Sequence, residues 1–112
     1  MYKTLKHEVK FYYPLTNNNG DSTVSHLTSL LSDLSNQYGG TTVYNANGRW
    51  IDDSNVMYTD ELLIISVFSE KPFDDTDLNN YAMYILKNCE QLGVSVEVSG
   101  VLRIYEHDTA TV

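Results

Sequence analysis

Histidine is the side chain most often recruited for acid–base chemistry and metal binding, and this chain has three, His7, His26 and His107. No two of them stand at the spacing of a metal pair on a helix or strand. Glu106, His107 and Asp108 are consecutive, but neighbours on an extended chain point to opposite sides, so this trio reads as a solvated tail. His7 shares strand parity with Val9 and Phe11, which predicts partial burial between sheet and helices, as a core residue or as an acid, base or ligand. A serine hydrolase would need Gly-x-Ser-x-Gly, and the chain has none. The single cysteine, Cys89, falls on the apolar side of a helical repeat, where burial raises a thiol pKa and leaves it inert. Gly39-Gly40 closes a helix where a phosphate cradle would open one. Neither a catalytic set, a metal site nor a cofactor site is therefore expected.

Carboxylates and tyrosines remain. Fifteen acidic residues against seven basic ones give a net charge of −8, which opposes a nucleic-acid backbone and suits a basic protein surface. Asp21, Asp52, Asp53 and Asp60 are expected in loops at one end of the sheet, and Glu70, Asp74, Asp75, Asp77, Glu106 and Asp108 at the other. The carboxylates lack the spacing of a calcium loop. Nine tyrosines supply rigid contact area with a polar tip, as interfaces favour. Tyr12, Trp50 and Tyr58 join Asp52, Asp53, Asp60, Asp74, Asp75 and Asp77 as candidate partner-binding residues.

Certain elements must position these groups. Leu5 to Tyr13 alternates with the two-residue period of a strand, and Pro14 ends it. Asn17 to Asp21 is a loop, and Ser22 to Tyr38 a helix capped by Asp21 or Ser22 and stopped by Gly39-Gly40. Thr41 to Ile51 reads as one long kinked strand, with a hairpin at Asn47-Gly48 as the alternative; Asp52 to Asn55 is a turn. Glu61 to Ser69, apolar on both faces at its centre, belongs mid-sheet. A second helix carries Leu78, Tyr81, Ala82, Ile85, Cys89 and Leu92 on one side and closes at Gly93; a last strand runs from Val94 to about Tyr105, bulged or bent at Gly100. This order predicts one α+β domain over 1–112, ferredoxin-like βαββαβ, with a four-stranded antiparallel sheet and two helices on one face. The other face, with Lys6, Glu8, Lys10 and Tyr12, would be left for a second subunit or a ligand.

Gly39-Gly40-Thr41-Thr42, then Gly48-Arg49-Trp50, then a Glu61-led apolar strand resembles a pattern of short bacterial and phage ferredoxin-like proteins over the middle third of the chain. The resemblance implies the fold and a phage setting, and no activity. In topology the chain also resembles the dimeric α+β barrel proteins, which include small monooxygenases. The lone cysteine, the alternating N-terminus and the absence of a long apolar run predict a cytoplasmic protein without a membrane span. Two functions compete. One is a non-enzymatic acidic protein, a phage-type inhibitor that blocks a basic surface. The other is a homodimer enclosing a small-molecule pocket, as a binding protein or cofactor-free oxygenase, lined by His7, Tyr12 and Trp50.

Overall fold

The computed structural model describes residues 1–107. Their elements run β1 (His7–Pro14), α1 (Val24–Tyr38), β2 (Thr42–Ile51), β3 (Met57–Ser69), α2 (Asp75–Asn88), β4 (Gly93–Val98) and β5 (Val101–Glu106). All five strands pair antiparallel in the order β2-β3-β1-β4-β5. The expected tail, Asp108 to Val112, lies outside the described residues.

Alternation along β1 divides the sheet. Val9, Phe11 and Tyr13 are fully buried against the helices, while Glu8, Lys10 and Tyr12 lie on the opposite side. The core joins Leu30 and Leu34 of α1, Leu78, Ala82, Ile85 and Leu86 of α2, Ile65 and Val67 of β3, and Val94 and Val96 of β4. Both helices thus cover one sheet face, and nothing among the described residues covers the other. Cys89 is buried in the same core, and burial pushes its thiol above the ordinary value. Gly39 ends α1 with φ of 96° and its N–H on the Ser35 carbonyl at 2.8 Å, a left-handed cap that glycine adopts without strain.

Several expectations are corrected. The sheet has five strands because the predicted bend at Gly100 is a hairpin: Ser99 and Gly100 both have positive φ, 48° and 85°, and Val98 pairs with Val101. Both central residues of a tight two-residue turn adopt this conformation. Glu106 therefore returns to the end where β4 begins, opposite Gly93, rather than joining Asp74 and Asp75. Helix α2 stops at Asn88, because Glu90 turns left-handed with φ of 49°, and Leu92 stands 82% exposed. Neither Asp21 nor Ser22 is the cap residue of α1. Thr23 holds that place, but its hydroxyl is spent on the Pro14 carbonyl at 2.6 Å. The favoured reading of one long strand holds, since Thr42–Ile51 is continuous, and only the alternative of a hairpin tip at Asn47-Gly48 falls away.

Strands β2 and β3 outrun their neighbours. Strand β1 accompanies β3 only from Ser69 back to Leu62, so Asn47–Ile51 and Met57–Glu61 continue as a two-stranded ribbon beyond the sheet. Five residue pairs carry it about 16 Å. The ribbon closes on Asp52, whose Oδ1 accepts the Ser54 and Val56 N–H groups at 2.9 Å each.

Candidate functional site

The uncovered sheet face carries a polar row along β1. Glu8 accepts the Ser66 hydroxyl at 2.7 Å, and Ser66 is nearly inaccessible. Lys10 faces Glu97 across the β1–β4 register with Nζ 3.8 Å from the carboxylate, and Tyr12 donates to the same carboxylate at 3.2 Å. Glu8 first, then Tyr44 and Glu97, hold the Lys10 ammonium above its ordinary pKa. Burial, then Glu97, raises the Tyr12 phenol, so it is a neutral donor at physiological pH. A chain of alternating donors and acceptors thus crosses the middle of an exposed sheet.

Tyr12 leads into a cleft of about 340 Å³ where the sheet meets the ribbon. One wall is the ribbon, from Ala46 to Trp50 and Asp60 to Leu62; the other is Thr16, Asn17 and Asn18, with Gln91 and the start of β4. The stacked pair Trp50–Tyr58, with ring centroids 4.4 Å apart and planes within 17°, stiffens the ribbon. Trp50 Nε1 donates to Asp60 at 3.1 Å and the Tyr58 hydroxyl to Asp52 at 3.0 Å. Bonds from the Val56 N–H first, then from Tyr58 and Ser54, hold the Asp52 carboxyl below the usual range.

The opposite wall is built by asparagine. Asn17 Oδ1 accepts the N–H groups of Asn19 and Asp21, both at 2.9 Å, which bends the loop on itself as such side chains do in turns. The Asn17 and Asn19 amides reach Glu90 at 3.4 and 3.3 Å, and Gln91 Nε2 reaches the Thr16 carbonyl at 3.3 Å. Beneath the loop, the buried Tyr13 hydroxyl donates to the Thr23 carbonyl at 2.6 Å. That bond and the Thr23–Pro14 bond fix both ends of the loop to the core.

The structure separates the residues selected from sequence. Tyr12, Trp50 and Asp60 line one cleft, and Tyr58, Asp52 and Asp53 belong to the ribbon and its turn beside it. His7 pairs with Ser69 at the other end of β1 and shares parity with Val9, so it does not meet Tyr12 or Trp50. Asp74, Asp75 and Asp77 also lie at that far end, each already engaged. Asp74 accepts the Thr76 and Asp77 N–H groups, Asp75 pairs with Arg103 at 2.9 Å, and Asp77 accepts from Gln37 at 2.9 Å. Sequence reasoning passed over Glu97, Asn17, Asn47 and Gln91. Only the strand register reveals Glu97, while the asparagine run itself marked a structured loop.

Carboxamides, two carboxylates, the Arg49 guanidinium and the Trp50 ring line this cleft, a setting that suits a planar, hydrogen-bonding ligand. Among the described residues no group of three or more histidine, cysteine or carboxylate side chains could hold a metal ion, and no helix is long and apolar enough to cross a membrane. No family model matches the chain, and no curated protein matches it. Two solved structures do. A phage SAM lyase in complex with S-methyl-5'-thioadenosine is similar to it at a TM-score of 0.62 and 12% identity, over 97% of this chain and 94% of that one. The phage SAM lyase in its apo state is similar at 0.60 and 10% identity, over 97% and 96% of the two chains.

Proposed function

We propose that this protein binds SAM, or the thioether left when SAM is cleaved, in the cleft between the ribbon and the asparagine loop. The observation that carries the proposal is the cleft itself, set in a fold that matches a phage SAM lyase over nearly its whole length. An adenine offers a flat face and several hydrogen-bonding edges, which suit Trp50, Asn17, Asn18, Asn47 and Gln91. A sulfonium carries a fixed positive charge, which Asp60, Glu61 and the net charge of −8 favour against the one cation in the lining, Arg49. Within this reading β2-β3-β1-β4 and the two helices are a ferredoxin-like unit extended by β5, the setting is phage and cytoplasmic, and the small-molecule function anticipated from sequence takes SAM as its ligand.

Trp50 is the only tryptophan and lines the cleft, so its fluorescence reports occupancy directly. Titration with SAM and with S-methyl-5'-thioadenosine should change its emission and release heat in a calorimeter, and chromatography of the SAM mixture should reveal whether thioether accumulates. Absence of both fluorescence change and heat at millimolar ligand would refute the proposal.

The acidic-inhibitor function keeps one supporting observation. Asp21, Asp52, Asp53, Asp60, Glu61, Glu90 and Glu106 crowd the cleft end of the molecule. Its test is charge reversal at Asp53 and Glu106, because Asp52 shapes a turn and Asp74 caps a helix. Capture of a basic partner by the parent protein, lost on reversal, would favour it over SAM.

A further inference from the structure

The chain has two arginines, and they are placed differently. Arg103 pairs with Asp75 at 2.9 Å and donates to the Tyr105 hydroxyl at 3.1 Å. Arg49 is exposed, makes no ion pair among the described residues and is the one cation in the lining of the cleft. A guanidinium is a rigid, planar fork of N–H donors that matches a carboxylate through two parallel bonds. In the ligand-free protein that fork is open.

Strand register explains why no carboxylate of the ribbon closes on it. Asn47 pairs across the ribbon with Glu61, and Arg49 with Thr59, which puts these residues on one side. Glu61 is therefore the diagonal neighbour of Arg49 and not its direct partner, at a spacing of about 7 Å between Cβ atoms. A cation and a carboxylate held side by side without pairing present the two charges that an α-amino acid group, a carboxylate and an ammonium on one carbon, would meet. Trp50 and Asp60 line the cleft from the other side of the ribbon. A ligand with adenosine at one end and an amino acid at the other can reach both sides, whereas adenosine alone leaves the charged side unused.

We infer that Arg49 holds the α-carboxylate of SAM, with Glu61 beside it for the α-ammonium, and so makes the cleft select ligands that keep the amino-acid end. The inference rests on the SAM proposal and deepens it. S-methyl-5'-thioadenosine has no amino-acid chain, so it has nothing to place in the fork. Arg49 is then the residue that distinguishes SAM from the thioether left by its cleavage.

Calorimetry with a set of related ligands tests it. S-adenosylhomocysteine keeps the amino-acid end and lacks the sulfonium charge; decarboxylated SAM keeps the sulfonium and the amine and lacks the carboxylate. Arg49→Gln should weaken SAM and S-adenosylhomocysteine about tenfold or more while leaving decarboxylated SAM and the thioether within about twofold of the parent. Arg49→Lys, which keeps the charge and loses the fork, should fall between. Far-ultraviolet circular dichroism should match the parent for both variants, because the side chain is exposed. Arg49→Gln binding SAM and S-adenosylhomocysteine as tightly as the parent, or losing every ligand equally, would overturn the inference and leave the SAM proposal standing. A parent that binds none of these ligands would overturn both.

Discussion

Thr23 is the residue on which the asparagine loop turns. Its hydroxyl donates to the Pro14 carbonyl at 2.6 Å, its own carbonyl accepts the Tyr13 hydroxyl at 2.6 Å, and the side chain is 2% exposed. Thr23→Val keeps the shape and removes the donor, leaving a carbonyl in the core without that bond. An orphaned buried polar group costs about 1 to 3 kcal/mol. Tyr13→Phe should cost less, about 1 kcal/mol, because the Thr23 carbonyl still accepts the His26 N–H at 3.1 Å. With an unfolding entropy of about 0.24 kcal/mol/K for a chain of this size, Thr23→Val should lower Tm by about 4 to 12 °C and Tyr13→Phe by about 4 °C. Urea melts at constant m-value, beside thermal melts, measure both. Ligand titration should show several-fold weaker binding for Thr23→Val, since the loop bearing Asn17 and Asn18 is released at its C-terminal end. If Thr23→Val melts with the parent, or if Tyr13→Phe is the more damaging change, the account of this latch is wrong.

Tyr38 makes the opposite prediction. Its hydroxyl is buried without a partner among the described residues, so Tyr38→Phe should be neutral or stabilising in a urea melt. Burial, then Asp77, pushes its phenol up to about 12. A raised folded pKa means stability is intact below the unfolded value near 10 and falls as pH rises toward 12, a loss that Tyr38→Phe should reduce in alkaline melts. Trp50→Ala should weaken ligand binding at least tenfold by calorimetry with little change in Tm, because the side chain is half exposed on the ribbon. Gly48 has no positive φ, and an added Cβ would stand 3.2 Å from the flexible Leu62 side chain; Gly48→Leu should therefore fold but crowd the cleft and reduce affinity. Cys89 should resist thiol reagents until global unfolding, with a labelling rate that tracks denaturant.

Much of the fold was legible because burial imposes a period. The apolar spacing of Leu27, Leu31 and Leu34, and of Leu78, Ala82 and Ile85, marked helices that the core then required, although α1 buries Leu30 beside Leu34 and leaves Val24, read on the same face, half exposed. The alternation of Val9, Phe11 and Tyr13 gave the sidedness of β1 and so placed Tyr12 on the open face. The fifth strand was missed at Gly100, where a bulge and a two-residue hairpin shift the alternation alike. What distinguishes them is positive φ at Ser99 as well as at Gly100, and serine gives no signal for that conformation. The error moved Glu106 to the wrong end of the molecule. The site was less legible because cross-strand register decides it: Glu97 meets Lys10 and Tyr12 only through the β1–β4 pairing, and no local pattern encodes that offset.

The same register explains why function should sit on the uncovered side. The helix-covered face of β1 is committed to packing, since Val9, Phe11 and Tyr13 have no exposed surface left to offer. On the opposite face a core would call for apolar residues at Glu8, Lys10 and Tyr12, yet each is polar and each bonds to a neighbouring strand or faces its carboxylate. Ion pairs of this kind add little stability in partial exposure, so stability alone gives no reason to place them there. They hold a pattern of donors and acceptors in fixed positions beside a cleft whose aromatic wall is supplied by an arm longer than its neighbouring strands. Shortening that arm by two cross-strand pairs, Trp50–Tyr58 and Ile51–Met57, separates these roles. The helices and core should keep their circular dichroism and most of their Tm, while ligand binding is lost. A shortened protein that still bound ligand with the parent's affinity would leave the ribbon without a role in binding.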